Sequence, residues 1–250
     1  MKPLLVSLLV SLTVAGCGPL SGESTASPSA AATPSRSDTR TSTGTGSETR
    51  CPKGSLEGCY SYSQMSSYLD TIEPLVAKFF QTQYTKLANP RDVVFVPTRE
   101  ARRSVCGGYS DSFAYEYCPA SRTIYIGQDL LWSFYRRQGD AAPVVALAHE
   151  WGHHVQSMLG VPFAGTNAES VRYENQADCI AGAFVQYAGG QGWLESDDLG
   201  DVDGLLQAVG SREGRARDHG TAAERKQAFD LGFKSGAKGC NSYYPSTPVG

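Results

Sequence analysis

Residues 149 to 153 read His149-Glu150-Trp151-Gly152-His153, and this run commits the segment to a helix if it is to act as a unit. Positions four apart stack on one helical face, so two imidazoles can reach a single metal ion at about 2.1 Å. The glutamate after the first histidine then faces a water held beside that ion. The chain has only 4 His in 250 residues, so this coincidence of spacing and residue type outweighs an ordinary short motif. The alternative, a solvated helix face, leaves the spacing unexplained.

The flanking residues supply the helix. Asp140 can cap it and Pro143 is tolerated in its first turn. Val144, Leu147, Ala148, Trp151, Val155 and Leu159 recur at helical spacing until Gly160 ends it. Gly152 inside such a helix costs about 1 kcal/mol relative to Ala, which predicts close approach of a strand or of substrate at that point. A catalytic zinc takes three protein ligands and keeps a fourth position for water, so a third ligand has to come from elsewhere. Thr166-Asn-Ala-Glu169 is a capping box that opens another helix, over 167 to about 188, ending at Gly189-Gly190. Glu174, in its first half, is the leading candidate, because an antiparallel pair of helices returns its carboxylate towards His149 and His153. Asp178, one turn on, can accept the second N–H of a ligating histidine and fix its tautomer. The expected metal is one zinc per chain, with Glu150 as general base taking a proton from the attacking water and passing it to the leaving amine. His219, in a turn before the last helix, is a candidate donor to the oxyanion, with a surface role as its alternative. His154 points about 100° round the helix from His153, away from the metal face, which suits packing.

The ends of the chain read differently. Met1 to Gly16 has a positive start, an apolar run and small residues, the pattern of an export signal. Val14-Ala15-Gly16-Cys17 resembles a lipobox, which predicts removal of 1–16 and lipidation of Cys17. Residues 17–50 are Ser, Thr, Pro, Gly and Ala with almost no large apolar side chain, a tether with a reach of roughly 30 Å, leaving 51–250 as the folded domain. The expected address is therefore the extracytoplasmic side of the cell membrane, held by the lipid. Six further cysteines in an exported chain argue for three disulfides, although many connectivities are possible. Local pairing suggests Cys51 with Cys59 and Cys106 with Cys118, leaving Cys179 to meet Cys240. No CxxC spacing favours thiolate metal ligation instead. The net charge of -3 without a basic run argues against nucleic acid as a partner.

Elsewhere the apolar spacing from Ser63 to about Leu87 predicts a helix that Pro74 kinks or breaks. Asp92 to Pro97 and Arg122 to Ile126 read as strands, antiparallel neighbours or parts of one small sheet, separated by a Gly/Ser/Tyr-rich loop between Cys106 and Cys118. The second of these is a plausible sheet edge for a peptide, with an interior position as the alternative. Residues 197 to 209 form a further helix, and Thr221-Ala-Ala-Glu224 is a second capping box opening a last helix that ends near Gly236. The fold class is thus α+β, mostly helical with a small sheet and stapled by disulfides.

Ala148-His149-Glu150-Trp151-Gly152-His153-His154-Val155-Gln156, then Glu174-Asn175-Gln176-Ala177-Asp178-Cys179 with Ala181-Gly182, resemble the putative neutral zinc metallopeptidases of bacteria. Tyr117-Cys118-Pro119, Ile124-Tyr125-Ile126, His219-Gly220 and Gly239-Cys240-Asn241 extend the resemblance over roughly residues 60 to 243. It implies a zincin-like fold, a glutamate as third zinc ligand, and the pairs Cys106–Cys118 and Cys179–Cys240. The lipobox and tether are not part of that shared core. A peptide or protein substrate is implied. The rival class is a zinc-stabilised, non-catalytic envelope scaffold, told apart by a metal closed by a fourth protein ligand; a cell-wall peptide or amide is a further substrate class.

Overall fold

The computed structural model describes residues 56–210 and 218–250. The signal, Cys17, the tether and Cys51, and with it the Cys51–Cys59 pair, lie outside the described residues. Strands β1 (Asp92–Val96), β2 (Ala101–Ser104), β3 (Gly108–Asp111), β4 (Tyr115–Cys118) and β5 (Thr123–Gly127) follow a first helix, α1 (Met65–Gln83). Then come α2 (Gln128–Arg137), α3 (Ala141–Leu159), α4 (Asn167–Gly190), α5 (Asp198–Val209), α6 (Ala222–Ser235) and a 3-10 turn, Ala237–Ser242. The expected α+β class is what folds. No helix among the described residues is long and apolar enough to cross a membrane.

The sheet order is β1-β5-β4, with β5 parallel to β1 and antiparallel to β4. The two strands are parts of one small sheet, as one of the two readings had it, and of the edge and interior readings of the second strand the interior one holds. The strands 92–96 and 123–127 run parallel, because the intervening hairpin and β4 make a connection long enough to cross over. The 122–126 segment is interior, every residue of β5 being buried, and β4 is the edge on its far side. The segment between Cys106 and Cys118 is likewise no plain loop: β3 pairs with β2 and β4 with β5, and the Cys106–Cys118 disulfide joins the two pairs.

Helix α1 continues through Pro74 without a break and buries Tyr68, Leu69, Ile72, Val76, Phe79 and Phe80. Helix α2 has no counterpart in the sequence reading, although Asp129 in its first turn and Arg136 and Arg137 in its last complement the helix dipole. Asp140 starts α3 without a side-chain cap, since its carboxylate accepts instead from the Leu56 amide at 3.0 Å. At the other end Gly160 takes the left-handed conformation, φ 73°, that closes a helix. Thr166 caps α4 by accepting from the Glu169 amide, while Glu169 turns its carboxylate to Gly165 N–H, so only half of the expected box forms. Both halves form at Thr221 and Glu224.

The main core joins the helices to one face of β5, with Tyr68, Ile72, Ile124, Ile126, Leu147 and Ile180 fully buried, and a smaller cluster of Val96, Cys118 and Tyr125 lies on the sheet. Helices α4 and α6 approach so closely that a Cβ on Gly182 would lie 2.1 Å from Phe229 O, and one on Gly232 1.7 Å from Cys179 O. The Cys179–Cys240 disulfide then fastens the C-terminal turn to α4.

Candidate metal centre

Helices α3 and α4 lie side by side in opposite directions, as their pairings show: His153 meets Glu174, Gly152 meets Ala177, and His149 meets Asp178. A Cβ on Gly152 would sit 3.1 Å from Ala177 Cα and 3.2 Å from its carbonyl oxygen. The close approach expected at Gly152 is therefore made by a helix backbone, not by a strand or substrate.

This contact brings the three candidate ligands together. Glu174 Oε2 lies 3.2 Å from His149 Nε2, and Oε1 lies 3.4 Å from His153 Nε2. Donors about 2.1 Å from one tetrahedral ion stand about 3.4 Å apart, so the spacing suits zinc, as does the two-nitrogen, one-oxygen chemistry. One ligand atom from each of His149, His153 and Glu174 falls within 4.8 Å of the others. Two faces of the site are set by hydrogen bonds. His149 Nδ1 pairs with Asp178 Oδ1 at 2.8 Å, and His153 Nδ1 with Gln156 Oε1 at 2.8 Å, which turns both Nε2 atoms towards Glu174.

Charge is tightly organised here. Burial pulls the His149 imidazole down, but Asp178 and Glu174 outweigh it and raise it to about 10. His153 is raised too, its burial overcome chiefly by Glu174. Burial pushes Glu174 up, but the two imidazoles prevail and hold it well below the usual carboxylate range. Glu150 goes the other way: burial raises its pKa, against the pull of the two histidines and a hydrogen bond from the Tyr117 backbone. A carboxyl raised in this way is a stronger base than an ordinary glutamate.

Arg225, in the first turn of α6, was not singled out from sequence. Its Nε and Nη2 donate to Asp178 Oδ2 and Oδ1, both at 2.8 Å, and both side chains are buried. Burial raises the Asp178 carboxyl, but Arg225 and His149 outweigh this and keep it low, so it accepts from His149. The only sequence signal was position: Arg225 follows the Glu224 of a capping box. Gln156 and Gln176 stood in the motifs quoted above without a role.

His219 lies elsewhere on the rim. Its side chain is 53% exposed and its Nδ1 pairs with Asp218 at 2.8 Å, while it lines the same cleft as the three ligands. His154 is buried, with Nδ1 on Tyr117 OH and Nε2 on Ala88 O, a packing role. The cleft has a volume of about 460 Å³. Its lining includes Tyr115, Glu116 and Tyr117 of β4, the contacting pair Phe163 and Tyr173, and the apolar side chains of Leu130, Phe134 and Phe229. Tyr173 also stacks on His153, ring centroids 5.2 Å apart.

A helix-borne pair of histidines with an intervening glutamate, a carboxylate from the next helix and an open cleft define the zinc metallopeptidase class. The chain belongs to the family described as putative neutral zinc metallopeptidase, whose pattern it matches over residues 36–243. It is 34% identical over 207 residues to the uncharacterized protein YpfJ of Escherichia coli K12, covering 71% of this chain and 70% of that one. It is 32% identical over 201 residues to the uncharacterized protein Rv2575 of Mycobacterium tuberculosis H37Rv, covering 64% and 69%. The uncharacterized protein Mb2605 of Mycobacterium bovis matches to the same extent. No solved structure matches significantly.

Proposed function

We propose that this chain is a zinc-dependent peptidase exported to the outer face of the cell membrane and held there by a lipid on Cys17. The observation that carries the catalytic part is the convergence of His149, His153 and Glu174 beside Glu150 in one open cleft. When bound there, zinc supplies Lewis acidity that polarises a carbonyl and acidifies water. Glu150 removes the proton from the attacking water and delivers it to the departing amine. Asp178 and Gln156 hold the two imidazoles with Nε2 facing inward. Edge strand β4, whose Tyr117 backbone bonds to Glu150, offers its free side for an extended peptide to pair with. His219 on the rim would donate to the oxyanion.

The ligand count favours catalysis over a scaffold, because the described residues bring three ligands together and the cleft leaves room for water. The address rests on the Val14-Ala15-Gly16-Cys17 sequence and the tether that follows it. Zinc analysis of the purified chain with a casein assay, with and without chelator, tests the reading. Chelator-sensitive cleavage is expected, and a zinc-loaded chain that cuts neither casein nor peptidoglycan would overturn it.

A further inference from the structure

We infer that Gln156 and Gln176 form a positioning relay that fixes the polarity of His153 and ends on the backbone of Cys240, so that the C-terminal disulfide governs metal retention. The inference rests on the metal site proposed above and adds a control of that site. Its geometry is a chain of four groups. Gln156 Oε1 is 2.8 Å from His153 Nδ1, and Gln156 Nε2 donates to Tyr173 O at 2.8 Å and to Gln176 Oε1 at 3.0 Å. Gln176 Nε2 then donates to Cys240 O at 3.1 Å. Both glutamine side chains are fully buried, so their amide groups have to find partners within the protein.

The direction of every bond follows from the two ends. Backbone carbonyls only accept, so Tyr173 O and Cys240 O each require an amide nitrogen facing them. Gln176 must then present oxygen to Gln156, and Gln156 must present oxygen to His153. His153 Nδ1 can only donate, which leaves Nε2, on the Glu174 side, as the nitrogen that gives up its proton to a metal. His149 needs no such device, because the Asp178 carboxylate that holds it accepts at either oxygen. An amide can turn either end outward, and its orientation has to be set from outside. Here the outermost setting is the Cys240 carbonyl, held over α4 by the bond from Cys240 to Cys179. Cys179 directly follows Asp178, so one residue step separates the anchor of this relay from the partner of His149.

The test compares the full chain with Gln156→Met, Gln176→Met and the double variant Cys179→Ala/Cys240→Ala. Zinc dissociation constants come from chelator competition, and imidazole nitrogen resonances from the zinc-loaded proteins. Gln156→Met is expected to weaken zinc about 10- to 100-fold and to expose the His153 Nδ1 proton to solvent exchange. Gln176→Met and the disulfide variant should move both readouts in the same direction by a smaller factor. Zinc affinity and proton protection unchanged in the two glutamine variants would overturn the relay while leaving the metal site intact. Coordination of wild-type His153 through Nδ1 would overturn it without any variant. Failure of the wild-type chain to bind zinc would overturn the metal reading itself, and the relay with it.

Discussion

Arg225 and Asp178 meet in a two-point ion pair, Nε to Oδ2 and Nη2 to Oδ1 at 2.8 Å each, and the Asp178 Oδ1 atom also receives His149. The site therefore spans three helices: α3 and α4 carry the ligands, and α6 neutralises the carboxylate behind one of them. Removing one partner of a buried pair costs about 3–5 kcal/mol, because the remaining charge is left uncompensated. Arg225→Met is expected to lower Tm by about 10 °C and to weaken zinc about tenfold. Arg225→Lys keeps the charge but not the fork, and should fall between. Thermal melts with and without zinc check both variants.

Glu150 faces the ligands without being one, so zinc binding and hydrolysis should separate at this residue. Glu150→Gln is expected to keep one zinc per chain and lose peptide cleavage by a factor of about 10² to 10⁴. Glu174→Ala should instead lose the metal on dialysis. Metal analysis beside a peptidase assay distinguishes the two, and activity in Glu150→Gln would exclude the assigned base.

Protons and zinc compete for the same nitrogens. His149 is raised to about 10 and His153 is raised as well, so at neutral pH the metal-free site holds protons that zinc has to displace. Affinity should therefore increase as pH rises. About tenfold or more tighter binding is expected at pH 8 than at pH 6, with proton release visible by calorimetry in buffers of different ionisation enthalpy.

A second cluster titrates in the opposite sense to ordinary paired carboxylates. Asp140, Asp198 and Asp201 bring oxygens within 4.8 Å of one another; burial, reinforced by neighbouring carboxylates that include Asp198, raises Asp140 and Asp201 to about 6, and burial with Glu195 and Asp197 raises Asp198. Their folded pKa values lie above those of the unfolded chain, so the folded state binds more protons. Stability from this cluster is complete below about pH 4 and declines as pH rises through 6. Asp201→Asn should raise Tm by a few degrees at pH 8 and have no such effect at pH 4, since the neutral amide still accepts from Ala141 N–H and removes one repelling charge.

The α4–α6 contact leaves no room for a methyl group. A Cβ on Gly232 would lie 1.7 Å from Cys179 O, a backbone atom one residue beyond Asp178. Gly232→Ala is expected to cost about 3 kcal/mol or more, with loss of zinc following as α6 withdraws Arg225. Thermal melts and metal content measured together check this. Gly192→Ala, at a turn with open space around it and φ 70°, should cost less.

Several elements were legible because their signals are local. Thr221 with Glu224, Gly160, and the apolar spacing from Val144 to Leu159 act through backbone groups within a turn or two, and α6 and α3 form where these residues place them. Helix α2 escaped notice because its short apolar pattern sits directly against β5, with Gly127 as its only break. The parallel pairing of β1 with β5 was not legible either. It depends on where the hairpin between them packs, which neither strand's composition encodes.

The candidate site divides along the same line. The sequence by itself determined that His149 and His153 share one helix face with Glu150 on the turn between them, since 3.6 residues per turn leaves no choice. It also made Glu174 of the following helix the leading candidate for the third ligand and suggested that Cys106 pairs with Cys118. Only the tertiary structure decided that Glu174 reaches both imidazoles, that Gly152 admits the backbone of Ala177, and that Arg225 lies buried against Asp178. The physical reason is range. A helix is specified by bonds between residues four apart, whereas these contacts join elements 20 to 50 residues apart whose approach is set by the whole core.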